Sequence, residues 1–175
     1  MQKQELSNIR KAFENGDFRK LKKFHDDLVN EIMLNPDKSI VDFAVYIYAL
    51  SKLLTKLRYQ KEQGQKAMKI IESVLLKIEN EGINEKNLRE LEESIKNTEL
   101  QDKRFILDMI LKGRLKTAAL LYAKGLSLST ASGITGIIKE EILSYAGKTM
   151  MFERIKDEVK VKKRLENARK LLGGG

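Results

Sequence analysis

The chain has no cysteine, no tryptophan, one proline and one histidine in 175 residues. Without cysteine there is no disulfide framework, no thiolate metal site and no cysteine nucleophile, and the composition suits a reducing interior. A single histidine gives Ser–His–Asp chemistry and histidine-rich metal sites at most one contributor. Long apolar runs are missing too. The longest, FAVYIYAL from Phe43 to Leu50, has eight residues, whereas a bilayer span needs about 20. MQKQELSNIRK at the N-terminus lacks the apolar stretch of a secretion signal. The expectation is a soluble, cytoplasmic protein with no membrane partner. Neither a GxxxxGK[ST] phosphate loop nor a GxGxxG after a strand occurs. His25 stands beside Asp26 and Asp27 on the side of an amphipathic helix expected to face water. Glu90, Glu92, Glu93, Glu140 and Glu141 read as solvated helix faces, so no pair of acids can be chosen for catalysis. A non-enzyme is expected, with no metal and no cofactor.

What is present is helical. Hydrophobic residues make up 42% of the chain and charged residues 34%, enough for a core and a solvated surface. Apolar positions recur at three- and four-residue steps, and alternation of strand type is scarce. A first helix runs over about 5–14 and stops at Asn15-Gly16. Asp17 caps a second, with Phe18, Leu21, Phe24, Leu28 and Ile32 on one face, ending before Asn35-Pro36. Ser39 is a plausible cap for a third, from Ile40 to about Gln63, apolar on nearly every side and so expected at the centre of a bundle. A fourth, Gln65 to Glu81, is stopped by Gly82. Asn84 starts a fifth, with Leu88, Leu91 and Ile95 inward. A sixth covers Asp102 to Lys112 and ends at Gly113. FENGDF (Phe13 to Phe18) resembles the inter-helix turn of tetratricopeptide repeats, but the 34-residue repeat does not recur, which favours an irregular bundle.

Charge is unevenly placed. Of the net +9, residues 1–100 contribute +1 and residues 101–175 contribute +8. A field of this kind attracts polyanions, nucleic acid foremost. The basic part contains LYAKGLSLSTASGITGIIKEEILSYAGKT, Leu121 to Thr149, which divides into three short helices. Leu115 to Lys124 is the first, stopped by Gly125. Ser127 caps Leu128 to Thr135, where Leu128, Ala131 and Ile134 share a face. Gly136 makes the turn and Ile137 plugs the corner. Lys139 to Ala146 follows, with Ile142 inward and Gly147 at its end. A helix-turn-helix requires a small residue where its helices meet, a glycine turn and an apolar plug, and its last helix then enters a major groove.

The pattern carried by Leu121, Tyr122, Gly125, Ser127, Leu128, Ala131, Gly136, Ile137, Glu140 and Glu141 resembles the helix-turn-helix of archaeal predicted transcriptional regulators and of small prokaryotic antitoxin-like proteins. The resemblance covers residues 115–148. It implies binding to double-stranded DNA, commonly as a homodimer, and for the antitoxin-like relatives a protein partner. Two departures stand out: Ile138 replaces a polar cap, and Gly133 lies inside the second helix. The reading face would be Lys139, Glu140, Glu141, Ser144 and Lys148, its two acids opposing two lysines, so affinity must come from cations around it. A last basic amphipathic helix, 149–172, supplies them in Lys156, Lys160, Lys162, Lys163 and Arg164.

The expected architecture is all-α: a bundle over 1–100, a trihelical helix-turn-helix unit over 101–148 and a basic C-terminal helix over 149–172. The expected function is DNA-binding transcription regulation, the bundle serving assembly or partner binding. The alternative is a protein-interaction adaptor or antitoxin whose helical tail binds a partner. RNA binding ranks third, because Tyr122, Tyr145 and Phe152 are too few to form stacking platforms.

Overall fold

A computed structural model describes residues 2–56, 62–100 and 109–151. Every regular element among them is helical: α1 (Lys3–Glu14), α2 (Phe18–Leu34), α3 (Lys38–Leu54), α4 (Glu62–Glu81), α5 (Glu85–Leu100), α6 (Met109–Ala123), α7 (Leu128–Thr135) and α8 (Lys139–Lys148). The fold is all-α.

Sequence-local chemistry sets most helix starts. Asp17 accepts from the Lys20 amide at 2.9 Å and so begins α2. Asp37, not Ser39, caps α3: its Oδ1 accepts from the amides of Ser39 at 2.7 Å and Ile40 at 3.1 Å. A carboxylate at this position satisfies two orphan donors and complements the positive end of the helix dipole. The helix closes at Leu54, well short of Gln63, with the Thr55 hydroxyl donating to the Lys52 carbonyl at 2.7 Å. Asn84 accepts from the Asn87 amide at 2.9 Å at the head of α5.

α3 is the axis of the molecule. Val41, Phe43, Ala44, Val45, Ile47, Ala49, Leu50 and Leu53 are all fully buried, because α1, α2, α5, α6 and α7 pack around it. Each large side chain so enclosed stabilises by about 1.5–3 kcal/mol. α1 packs on α4 and α4 on α5, and Arg10 ties α1 to Glu79 of α4 at 2.5 Å. The hydrophobic cluster runs unbroken from Leu6 to Met151, so α6, α7 and α8 share one core with the preceding helices.

Two glycines read as helix ends lie inside helices. Gly113 sits within α6 and Gly147 within α8. At Gly113 the reason is packing: a Cβ there would stand 2.8 Å from the Val45 carbonyl oxygen, so only glycine lets α6 cross α3 this closely. α8 instead ends at Thr149, whose hydroxyl donates to the Tyr145 carbonyl at 2.7 Å. No described helix is long and apolar enough to cross a membrane.

Candidate nucleic-acid interface

α6, α7 and α8 form a compact corner against the C-terminal half of the core. α6 closes with the Leu126 amide donating to Leu121 and the Gly125 amide donating to Tyr122, both at 3.0 Å. Ser127 then caps α7, its Oγ accepting from the Thr130 amide at 3.0 Å. Ala131 is fully buried where the helices meet. Gly136 takes φ 72°, the left-handed geometry that ends α7 and that a side chain would resist. Ile137 is buried in the angle, and Ile142 and Ala146 hold the inner face of α8. Leu128 and Ile134 are half-buried against the same cluster. Ile138 occupies the N-cap of α8 with no side-chain hydrogen bond and is 57% exposed.

Lys139, Glu140, Glu141, Leu143, Ser144, Gly147 and Lys148 are exposed along the outer side of α8. Glu140 and Glu141 fall in its first turn, where they favour the helix through its dipole. That same pair leaves the face without net positive charge. The surrounding chain supplies the excess: residues 109–151 contain six lysines and arginines against two acids. Lys156, Lys160, Lys162, Lys163 and Arg164 lie outside the described residues.

Three features of this region have no local signal in the sequence. Arg114 donates to Asp42 at 2.7 Å and to the Thr135 carbonyl at 3.4 Å, fastening the C-terminal end of α7 to α3. A cleft of about 530 Å³ opens there, between Asp42, Tyr46 and Glu92 on one side and Ile134 to Gly136 on the other. Several of its charged groups are paired: Asp42 with Arg114, and Glu92 with the Tyr46 hydroxyl, which donates to it at 2.9 Å, and with Lys96 at 2.7 Å. Glu92 therefore faces α3 rather than water alone.

The third feature corrects the reading of His25, which is fully buried rather than solvated. Its Nδ1 lies 3.0 Å from the Asp26 carboxylate and its Nε2 lies 3.1 Å from the Thr117 hydroxyl. A carboxylate only accepts, so Nδ1 carries the proton and Nε2 accepts from Thr117. The helical period of α2 suggested exposure, but α6 crosses that side and covers the ring. Burial pushes the imidazole below its ordinary value, and Lys116 and Lys22 act in the same direction. Asp26 opposes them and only partly offsets the shift. The His25 ring centroid is 5.2 Å from that of Tyr48 on α3. Burial, then the hydrogen-bonded Tyr145 of α8, pushes the Tyr48 hydroxyl up to about 12. A neutral, fully satisfied imidazole thus stands two contacts away from α8. Among the described residues its hydrogen-bond partners are Asp26 and Thr117, so the ring joins α2 to α6.

Among the described residues no group of three or more His, Asp or Glu side chains is placed to hold a metal ion. The chain matches no protein-family model, no curated protein and no solved structure.

Proposed function

We propose that this protein binds duplex DNA through the α6–α7–α8 corner and acts as a transcriptional regulator, with α8 in the major groove. The observation that carries this reading is the combination of a tightly turned trihelical corner, an exposed polar face on α8 and a cationic excess in the same segment. In this reading Lys139, Glu140, Ser144 and Lys148 face the bases, and Lys156, Lys160, Lys162, Lys163 and Arg164 contact phosphates. Assembly as a homodimer follows the habit of the archaeal regulators that residues 115–148 resemble.

The test is a mobility-shift titration on a pool of genomic duplexes at low and moderate salt. Phosphate contacts make binding fall steeply as salt rises. Lys139→Ala and Ser144→Ala should reduce preference among sequences by roughly 1–3 kcal/mol for a true base contact. Neutralising Lys162, Lys163 and Arg164 should weaken all sequences alike. Absence of a shift at low salt sinks the reading.

A second reading has its own observation. Ile138 is 57% exposed, Leu143 45% and Met150 56%, an apolar set on α8 and its two ends. Such a patch beside Glu140 and Glu141 suits docking of a protein with a basic, apolar surface. Under that reading Glu141→Gln weakens the protein partner and leaves DNA unaffected. On a DNA face the same change removes repulsion and raises non-specific affinity.

A further inference from the structure

Gly133 is a glycine that packing does not explain. It lies inside α7, where it weakens the helix relative to alanine. Gly113 is required by the Val45 backbone and Gly136 by its left-handed φ, but an added Cβ at Gly133 would meet nothing within 4 Å. Gly133 and Gly136 form part of the wall of the cleft of about 530 Å³ between α3, α5 and the last turn of α7. A glycine so placed lets a ligand approach the helix backbone closely. The cleft also falls within the volume range of small-molecule sites, roughly 300–1,000 Å³. Charges of both signs face it within one helical turn of each other. Lys38 and Asp42 are four residues apart on α3, and Arg89 and Glu92 are three apart on α5. Asp42 bonds Arg114 at 2.7 Å, Glu92 accepts from the Tyr46 hydroxyl at 2.9 Å, and Arg89 pairs with Glu85. The carbonyl end of α7, negative through the helix dipole, already draws one cation: Arg114 donates to the Thr135 carbonyl at 3.4 Å. A ligand of single charge would be opposed by half of this lining, whereas a compact molecule carrying both charges meets both halves.

We propose that this cleft binds a small zwitterion of the α-amino-acid class. Its ammonium lies between Asp42 and the carbonyl end of α7, its carboxylate is directed toward Lys38 and Arg89, and its body rests against the bare backbone at Gly133. The site goes beyond the DNA-binding reading and stands without it.

The experiment titrates the full chain with each of the standard L-amino acids, reading the melting temperature, and then measures by calorimetry the affinity of those that raise it. At least one should raise it in a saturable way. The N-acetyl derivative and the decarboxylated amine of that amino acid, each lacking one charge, should bind at least about tenfold more weakly. Gly133→Ala should melt no lower than the wild type, so that its loss of binding cannot come from unfolding. It should bind the amino acid at least about tenfold more weakly, because the new methyl group takes the space the ligand needs. Gly147→Ala, equally unobstructed but on α8 and outside the cleft, should bind as the wild type does. Lys38→Gln, at an exposed lining position, should weaken the amino acid and leave the decarboxylated amine unaffected. No response to any of the amino acids overturns the proposal, and so does undiminished binding by Gly133→Ala. Equal binding of the decarboxylated amine overturns the zwitterion. Duplex binding, present or absent, alters none of these outcomes.

Discussion

Gly113 and Val45 meet where α6 crosses α3, so closely that a methyl group on Gly113 would press to 2.8 Å from the Val45 carbonyl oxygen. Gly133, in α7, has nothing within 4 Å of the same added atom. The two positions should therefore respond oppositely to alanine. Gly113→Ala must push two helices apart, at a typical cost of about 1–3 kcal/mol that exceeds its gain in helix propensity. Gly133→Ala keeps only the gain, up to about 1 kcal/mol. Urea unfolding of both variants checks this, and a neutral Gly113→Ala would mean that the crossing is looser than described.

Removing the hydroxyl of Thr117 leaves the buried Nε2 of His25 without a donor. Thr117→Val should cost about 1–3 kcal/mol, the penalty for an unsatisfied buried group. Thr117→Ser keeps the hydroxyl and should recover most of that loss. Equal destabilisation by both substitutions would point to packing of the methyl group instead.

Acid should weaken the fold through His25. Its folded value lies below the ordinary 6.5, so the unfolded chain takes up a proton that the native chain refuses. The stability it contributes is complete above the unfolded value and is lost as pH falls from there toward the folded value. Urea midpoints at about pH 7.5 and about pH 5.5 should differ for the wild type, and less for His25→Gln. Identical pH dependence in the two proteins would assign the acid response to other groups.

Ile138 is the weak start of α8, an apolar N-cap turned largely to solvent. Ile138→Ser supplies the missing acceptor and should stabilise the protein by about 1 kcal/mol, read as a raised urea midpoint. If the apolar patch on α8 docks a protein, that gain should come with weaker partner binding. Duplex affinity should be retained.

How far the sequence led depends on the distance over which each signal acts. Leu128–Thr135 is legible to the residue because a serine cap and a left-handed glycine lie at its own ends. The apolar run from Phe43 to Leu50 identifies the central helix for the same reason. Gly113 is misread as a stop because its use depends on Val45, a residue on another helix. His25 fails likewise: the periodicity of α2 describes one buried face, and α6 creates a second. Lys156 to Arg164 fall outside the described residues, so their charge pattern is known from sequence alone.

The bond between His25 and Thr117 spans 92 residues, and closing a loop of that length costs about 4 kcal/mol of chain entropy before any contact repays it. On a ribosome the order of events is then fixed by the direction of synthesis. α2 and α3, joined by a short connection, are made first and can pair at once. The side of α3 around Val45, and the imidazole of His25, must wait for α6 to emerge. At about 5–20 residues per second that interval lasts several seconds. During it the nascent chain carries an open apolar groove and an unpaired buried-type histidine, which makes this the stage most open to aggregation or to capture by a chaperone.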